Sequence, residues 1–203
     1  MSQTSQPIDF YFDFTSPYGY LMSEKIDALA ERFDREVRWH PILLGMVFKV
    51  TGSQAPVTLP LKGPYILRDF QRSARFLNIP YRHPSRFPVA TQAAGRAYYW
   101  LHGRDVVLAR QFSHAVYRAF FVDDKDISSL EIVLELAIQQ GVDSAELQAA
   151  LQQTEVKALL QSASETAIER GVFGSPFVIV DDEPFFGVDR LPQIEQWLET
   201  GGF

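Results

Sequence analysis

Three short stretches carry residue types that could do chemistry. In FDFTSPYGY, Ser16 and Pro17 fall where an aromatic strand pattern gives way to a helical one. Ser16 takes an N-cap position and Pro17 the first helical position, where a missing N–H costs nothing. Capping alone accounts for the pair, yet a hydroxyl there also sits at the positive end of a helix, where an anion is stabilised. In FGSPFVIV, Ser175-Pro176 reads in two ways. Pro176 can simply open an edge strand. Alternatively a cis bond turns the backbone of Ser175 outward, so that its N–H and C=O can hold an extended peptide. In GVDRL, Asp189 stands just before the last helical pattern, where it reads as a cap.

The chain has 203 residues and no cysteine. Disulfides, thiolate metal sites and a protein-borne catalytic thiol are therefore excluded, and any sulfur acting beside Ser16 must arrive with a ligand. Four histidines (His40, His83, His102, His114) show no ligand spacing, and neither GxGxxG, a P-loop nor GxSxG occurs. A net charge of -6 argues against general nucleic-acid binding. Lys62, Arg68, Arg72, Arg75, Arg82 and Arg86 face only Asp69 between positions 62 and 86, so a +5 segment sits in a chain that is otherwise -11. A solvated helix face or an attractor for small carboxylates would each account for it. No run of about 18 apolar residues exists to span a membrane, and MSQTSQPID does not read as a signal peptide. A cytoplasmic location is expected.

The elements that must position these residues follow from hydrophobic periodicity. Residues 8–14 alternate apolar residues with Asp9 and Asp13, as a strand with one strongly buried face does. Met22, Ile26, Leu29 and Phe33 then repeat at helical spacing, and 36–44 reads as a second strand, giving a βαβ opening with parallel strands. Helices are expected near 64–78, 91–102, 105–121, 128–140 and 144–152, then another from Thr154 to Gly171. A strand at 177–181, a turn at Asp181-Asp182-Glu183, a short strand near 184–187 and a helix over 190–199 close the chain. With the helical block removed, the order is βαβαββα, that of the thioredoxin fold. The expected class is α/β, with a thioredoxin-like domain from 1–45 and 153–203 and an all-helical insertion over 46–152.

Taken together, FDFTSPYGYL, GMVFKVTG with LPLKGPYILRDFQRSAR, and GVFGSPFVIVDDEPFFGVDRL resemble the 2-hydroxychromene-2-carboxylate isomerases. These are relatives of kappa-class glutathione transferases within the DsbA-like thioredoxin superfamily. The resemblance implies a glutathione-dependent, usually dimeric enzyme acting on a small anionic aromatic substrate. It implies that Ser16 hydrogen-bonds the glutathione sulfur and that Ser175, beside cis-Pro176, pairs with the tripeptide backbone. Asp189 in the VDR turn would bind the γ-glutamyl end, Val188 and Ser53 count among the glutathione-binding residues, and Lys49 and Lys62 match basic residues lining the family's site. Ser53 stands where relatives often carry Asn, and so does Ala90. Two alternatives are a kappa-like transferase or peroxidase and a non-catalytic peptide-binding module.

The physics of Ser16 is adequate for the implied role. Lowering a thiol pKa by about two requires roughly 2.7 kcal/mol of preference for the anion. A helix N-terminus supplies about 0.3–1, at most about 2 kcal/mol, and a hydroxyl bond to a charged acceptor roughly 1.5–3. Together they reach the requirement.

Overall fold

The computed structural model describes residues 6–203. The signal-peptide reading of the first residues, MSQTS, lies outside the described part. Four strands form one sheet: β1 (Ile8–Phe12), β2 (Val37–Pro41), β3 (Phe177–Val180) and β4 (Glu183–Phe186), in the order β2-β1-β3-β4. β1 pairs parallel with β2, Phe10 opposite Trp39, while β1–β3 and β3–β4 are antiparallel. Between β1 and β2 the chain makes α1 (Pro17–Ser23) and α2 (Ile26–Glu31). Six helices follow β2: α3 (Leu44–Thr51), α4 (Lys62–Phe76), α5 (Gln92–His102), α6 (Val106–Phe121), α7 (Leu130–Gln139) and α8 (Ser144–Ala150). The chain then runs through α9 (Thr154–Glu169) into β3 and β4, and ends with α10 (Leu191–Thr200). This is the expected α/β class, a thioredoxin-like sheet with a long helical stretch between its second strand and α9.

Three local expectations are corrected. The first helical pattern breaks in two at Glu24-Lys25. Ser23 donates its hydroxyl to the Tyr20 carbonyl at 2.7 Å, a local bond that competes with helix propagation. The second strand stops at Pro41, and LGMVFKVT, expected partly as strand, is helix α3. Its end is set by Gly52 at φ 68. Finally, β1 is buried on both faces, Asp9 included.

Both faces of the sheet are covered because β1 is central and helices pack on each side. One core gathers Phe10, Phe12, Trp39, Tyr98, Tyr117 and Phe121, the other Tyr11, Val47, Ala167, Phe177 and Ile179. Each fully buried aromatic contributes about 1.5–3 kcal/mol of hydrophobic stabilisation, so the end of β1 is held rigidly. Asp9 is tolerated because it accepts hydrogen bonds from His40 at 2.9 Å and Arg170 at 2.8 Å and pairs with Arg38 at 3.2 Å. Burial pushes its carboxyl up, but the bonds from His40 and Arg170 and the charges of His40 and Arg38 outweigh it and hold it at about 2. No helix among the described residues is long and apolar enough to cross a membrane.

Candidate active site

Ser16 leaves β1 through a tight turn. Its backbone is extended (φ -89, ψ 113) and its N–H donates to the Asp13 carbonyl at 2.8 Å, which fixes its direction before α1 begins. The hydroxyl oxygen accepts the Gly19 N–H at 3.0 Å, an N-cap bond, and Pro17 opens the helix as expected. The hydroxyl proton is not free. It is donated to the carbonyl of Ser175 at 3.0 Å, across the loop that enters β3.

The Ser175-Pro176 bond is cis, the second of the two sequence readings. This loop is fixed from both sides: the Asp13 N–H donates to Ser175 Oγ at 3.1 Å, and the Gly187 N–H donates to the Pro176 carbonyl at 3.1 Å. Gly19 lets the two loops meet. A Cβ there would lie 2.8 Å from the Tyr117 hydroxyl, 3.0 Å from Ser175 Oγ and 3.1 Å from Ser16 Cβ.

The Gly187–Arg190 turn lies against the same helix, because its 3-10 segment Val188–Arg190 packs on α1. Val188 is buried, while the Asp189 carboxylate is exposed and bonded to Arg190 at 2.7 Å. Gly187 adopts φ 106, and a Cβ on it would sit 2.4 Å from Asp189 Oδ1. Tyr18, in the first turn of α1, donates to Asp69 on α4. Burial first, then that bond and the charges of Asp69, Tyr65 and Asp189, push its phenol far above the usual range, so it stays a donor.

Lys49 is exposed in the last turn of α3, Ser53 is exposed just past its C-cap, and Lys62 opens α4. Among the described residues no hydrogen bond or ion pair ties these three to Ser16. Arg82 and Arg86 are spent on Asp124 at 2.9 Å and Asp126 at 2.6 Å, and Arg72 on Asp69. The +5 of this segment is therefore partly cancelled by the carboxylates of the α6–α7 connection. Ala90 is exposed beside Thr91. A cavity of about 320 Å³ lined by Ser23, Glu24, Asp27, His114 and Arg118 opens elsewhere, and its Glu24 already faces His114 and Arg118 at 3.5 and 3.6 Å. The candidate site is instead the junction of Ser16, the cis-proline loop and the Asp189 turn.

Four residues of this junction escaped the sequence reading: Asp13, Thr15, Thr91 and Tyr117. Asp13 is 3 % exposed, and its carboxylate accepts the Thr15 N–H at 3.0 Å, the Thr91 hydroxyl at 2.8 Å and the Leu44 N–H at 2.8 Å. The Tyr117 hydroxyl donates to its carbonyl at 3.2 Å, and Thr15 Oγ1 receives the Val89 N–H at 3.2 Å. The one available signal was an acid inside an otherwise aromatic run, three residues before Ser16.

Residues 7–199 match the model of the DSBA-like thioredoxin domain. The chain belongs to that family. It is similar to the 2-hydroxychromene-2-carboxylate isomerase of Sphingobium xenophagum, 29% identical over 199 residues, 96% of this chain and 98% of that one. It is also similar to glutathione S-transferase kappa 2 of Caenorhabditis elegans, 28% identical over 94% of this chain and 91% of that one. A solved 2-hydroxychromene-2-carboxylate isomerase superposes with a TM-score of 0.87 at 25% identity, covering 96% of this chain and 95% of that one. These relatives are named as isomerases and glutathione S-transferases.

Proposed function

We propose that this protein is a glutathione-dependent isomerase of 2-hydroxychromene-2-carboxylate type. The observation that carries the reading is an oxygen, Ser16, at the N-terminus of α1 against the cis Ser175-Pro176 loop, in a chain without cysteine. Support also comes from the isomerase relatives, which match this chain along nearly its whole length.

The donor set fits a tripeptide thiol. Ser16 offers a hydroxyl and a helix N-terminus to an anionic sulfur, Ser175 offers the backbone before β3 to an extended peptide, and Asp189 offers an exposed carboxylate to an ammonium. Lys49, Ser53 and Lys62 are assigned to the rim of the same site, and Val188 and Pro176 to its walls. When bound, glutathione supplies a nucleophilic sulfur able to add to a conjugated carbonyl compound and leave again. Ser16 first gives up its bond to the Ser175 carbonyl and turns its proton to the sulfur, while still accepting from Gly19. The released carbonyl is then free for a ligand N–H. Because Ser16 has no sulfur, it cannot trap the ligand as a mixed disulfide. The substrate is an anionic aromatic catabolite, and the protein acts in the cytoplasm as a homodimer.

The kappa-like transferase is the second reading, since the kappa relative is nearly as similar as the isomerase. One assay separates them: 2-hydroxychromene-2-carboxylate and glutathione are mixed with the enzyme while product and free thiol are followed together. Turnover with constant thiol is the expected result. Turnover with stoichiometric thiol loss, or glutathione binding without turnover, overturns the isomerase reading.

A further inference from the structure

We infer that Asp13 is the positioning residue of this site, the strut that holds Ser16 where a ligand sulfur can use it. The inference rests on the glutathione reading above.

Every polar atom of Asp13 is engaged. Its carbonyl accepts from Ser16 and Tyr117, its N–H donates to Ser175, and its carboxylate takes three donors from Thr15, Leu44 and Thr91. One buried residue thus joins the Ser16 turn to the starts of α3 and α5, to α6 and to the cis-proline loop.

Two of these bonds stand where helix caps are missing. The N-cap of α3 is Leu43, which has no side-chain acceptor, and the Asp13 carboxylate satisfies the Leu44 N–H in its place. The N-cap of α5 is Thr91, whose side chain caps nothing in its own helix because its hydroxyl is turned to Asp13. Helices α1, α3 and α5 therefore begin around the end of β1, and the carboxylate lies between the last two. Three inward donors with no outward partner are the pattern of an acceptor-only carboxylate. Burial pushes the carboxyl up, opposed by the bonds from Leu44, Thr15 and Thr91, and Tyr117 on α6 is the titratable group facing it.

The Thr15 bond matters most for function. It fixes the residue immediately before Ser16, so freeing it lets the Ser16 backbone swing and misaim the hydroxyl. Asp13→Asn keeps the shape, but its NH₂ must face either the Leu44 N–H at Oδ2 or the Thr15 N–H and Thr91 hydroxyl that share Oδ1, and either clash shifts the side chain that holds Thr15. A ligand held mainly through Ser175 and Asp189 would still bind, while the sulfur would lose its hydroxyl partner.

The test compares wild type, Asp13→Asn, Thr91→Val and Thr91→Ser, all with reduced glutathione. Its affinity is measured by calorimetry, and the ionised fraction of the bound thiol at pH 7 by ultraviolet difference absorbance. Exchange of the Ser16 and Gly19 amides is followed by NMR. For folded Asp13→Asn, the expected results are affinity within about threefold of wild type, a thiolate fraction about tenfold lower and amide exchange about tenfold faster. Thr91→Val should show the same pattern at roughly a third of the size, and Thr91→Ser should restore it. A merely structural Asp13 would lower the melting temperature and leave the bound thiolate unchanged; that result overturns the inference. If Asp13→Asn does not fold, the Thr91 pair decides by the same criteria. Failure of wild type itself to bind glutathione would instead remove the glutathione reading, and the inference with it.

Discussion

Replacing Ser16 by alanine separates its two jobs, because the hydroxyl makes two bonds in the free protein and would make a different pair with a ligand present. In the free protein Ser16→Ala removes the cap bond to Gly19 and the bond to the Ser175 carbonyl, each 3.0 Å long. Loss of a serine cap costs about 1 kcal/mol, and the unmet carbonyl about 1 more. For a chain of this length roughly 2 kcal/mol lowers the melting temperature by about 4–8 °C, so the variant folds. With glutathione bound, the missing hydroxyl withdraws roughly 1.5–3 kcal/mol from the thiolate and leaves only the helix terminus. The ionised fraction at neutral pH should then fall roughly tenfold or more, and turnover with it. Ultraviolet difference titration of bound glutathione against pH, wild type beside Ser16→Ala, reads this directly. A folded alanine variant with the wild-type thiolate titration would refute the reasoning, since it would show that the sulfur takes no stabilisation from the Ser16 hydroxyl.

Gly19→Ala should gain about 1 kcal/mol of helix propensity yet lose more by driving a Cβ into Tyr117, Ser175 and Ser16, a net fall in melting temperature; a rise would sink the packing argument. Asp9 has a native pKa of about 2 against an ordinary 3.8, so its stabilisation of roughly 2 kcal/mol is complete above about pH 4 and disappears as pH falls through 2. Denaturant unfolding should therefore show Asp9→Asn well below wild type at pH 5 and level with it near pH 2, and parallel curves at all pH values would contradict this. Asp189→Ala should weaken glutathione binding about tenfold with turnover at saturation unchanged, as expected for an interaction made equally before and during reaction; a lower kcat at unchanged affinity would assign Asp189 elsewhere.

How much of this was legible depends on where each residue finds its partners. Ser16-Pro17, Ser175-Pro176 and Asp189 announce themselves through local turn chemistry, and the helices from α4 to α10 through apolar spacing. Asp13 was misread because strict alternation gives it a solvent face, whereas two of its three carboxylate donors come from residues 44 and 91, beyond any local window. Helix α3 was missed for the same reason: its starting N–H is satisfied by a carboxylate 31 residues earlier, so no capping residue marks it. The basic segment looked stronger than it is because charge counting along the chain ignores Asp124 and Asp126, which fold back onto Arg82 and Arg86.

The bond between Ser16 and Ser175 closes a loop of 159 residues. Closing a loop of that length carries an entropic cost that the core packed around it must offset. Ligand binding at this junction therefore reports completed assembly, and a ligand bridging both segments stabilises only the finished protein, by RT ln(1 + [L]/Kd).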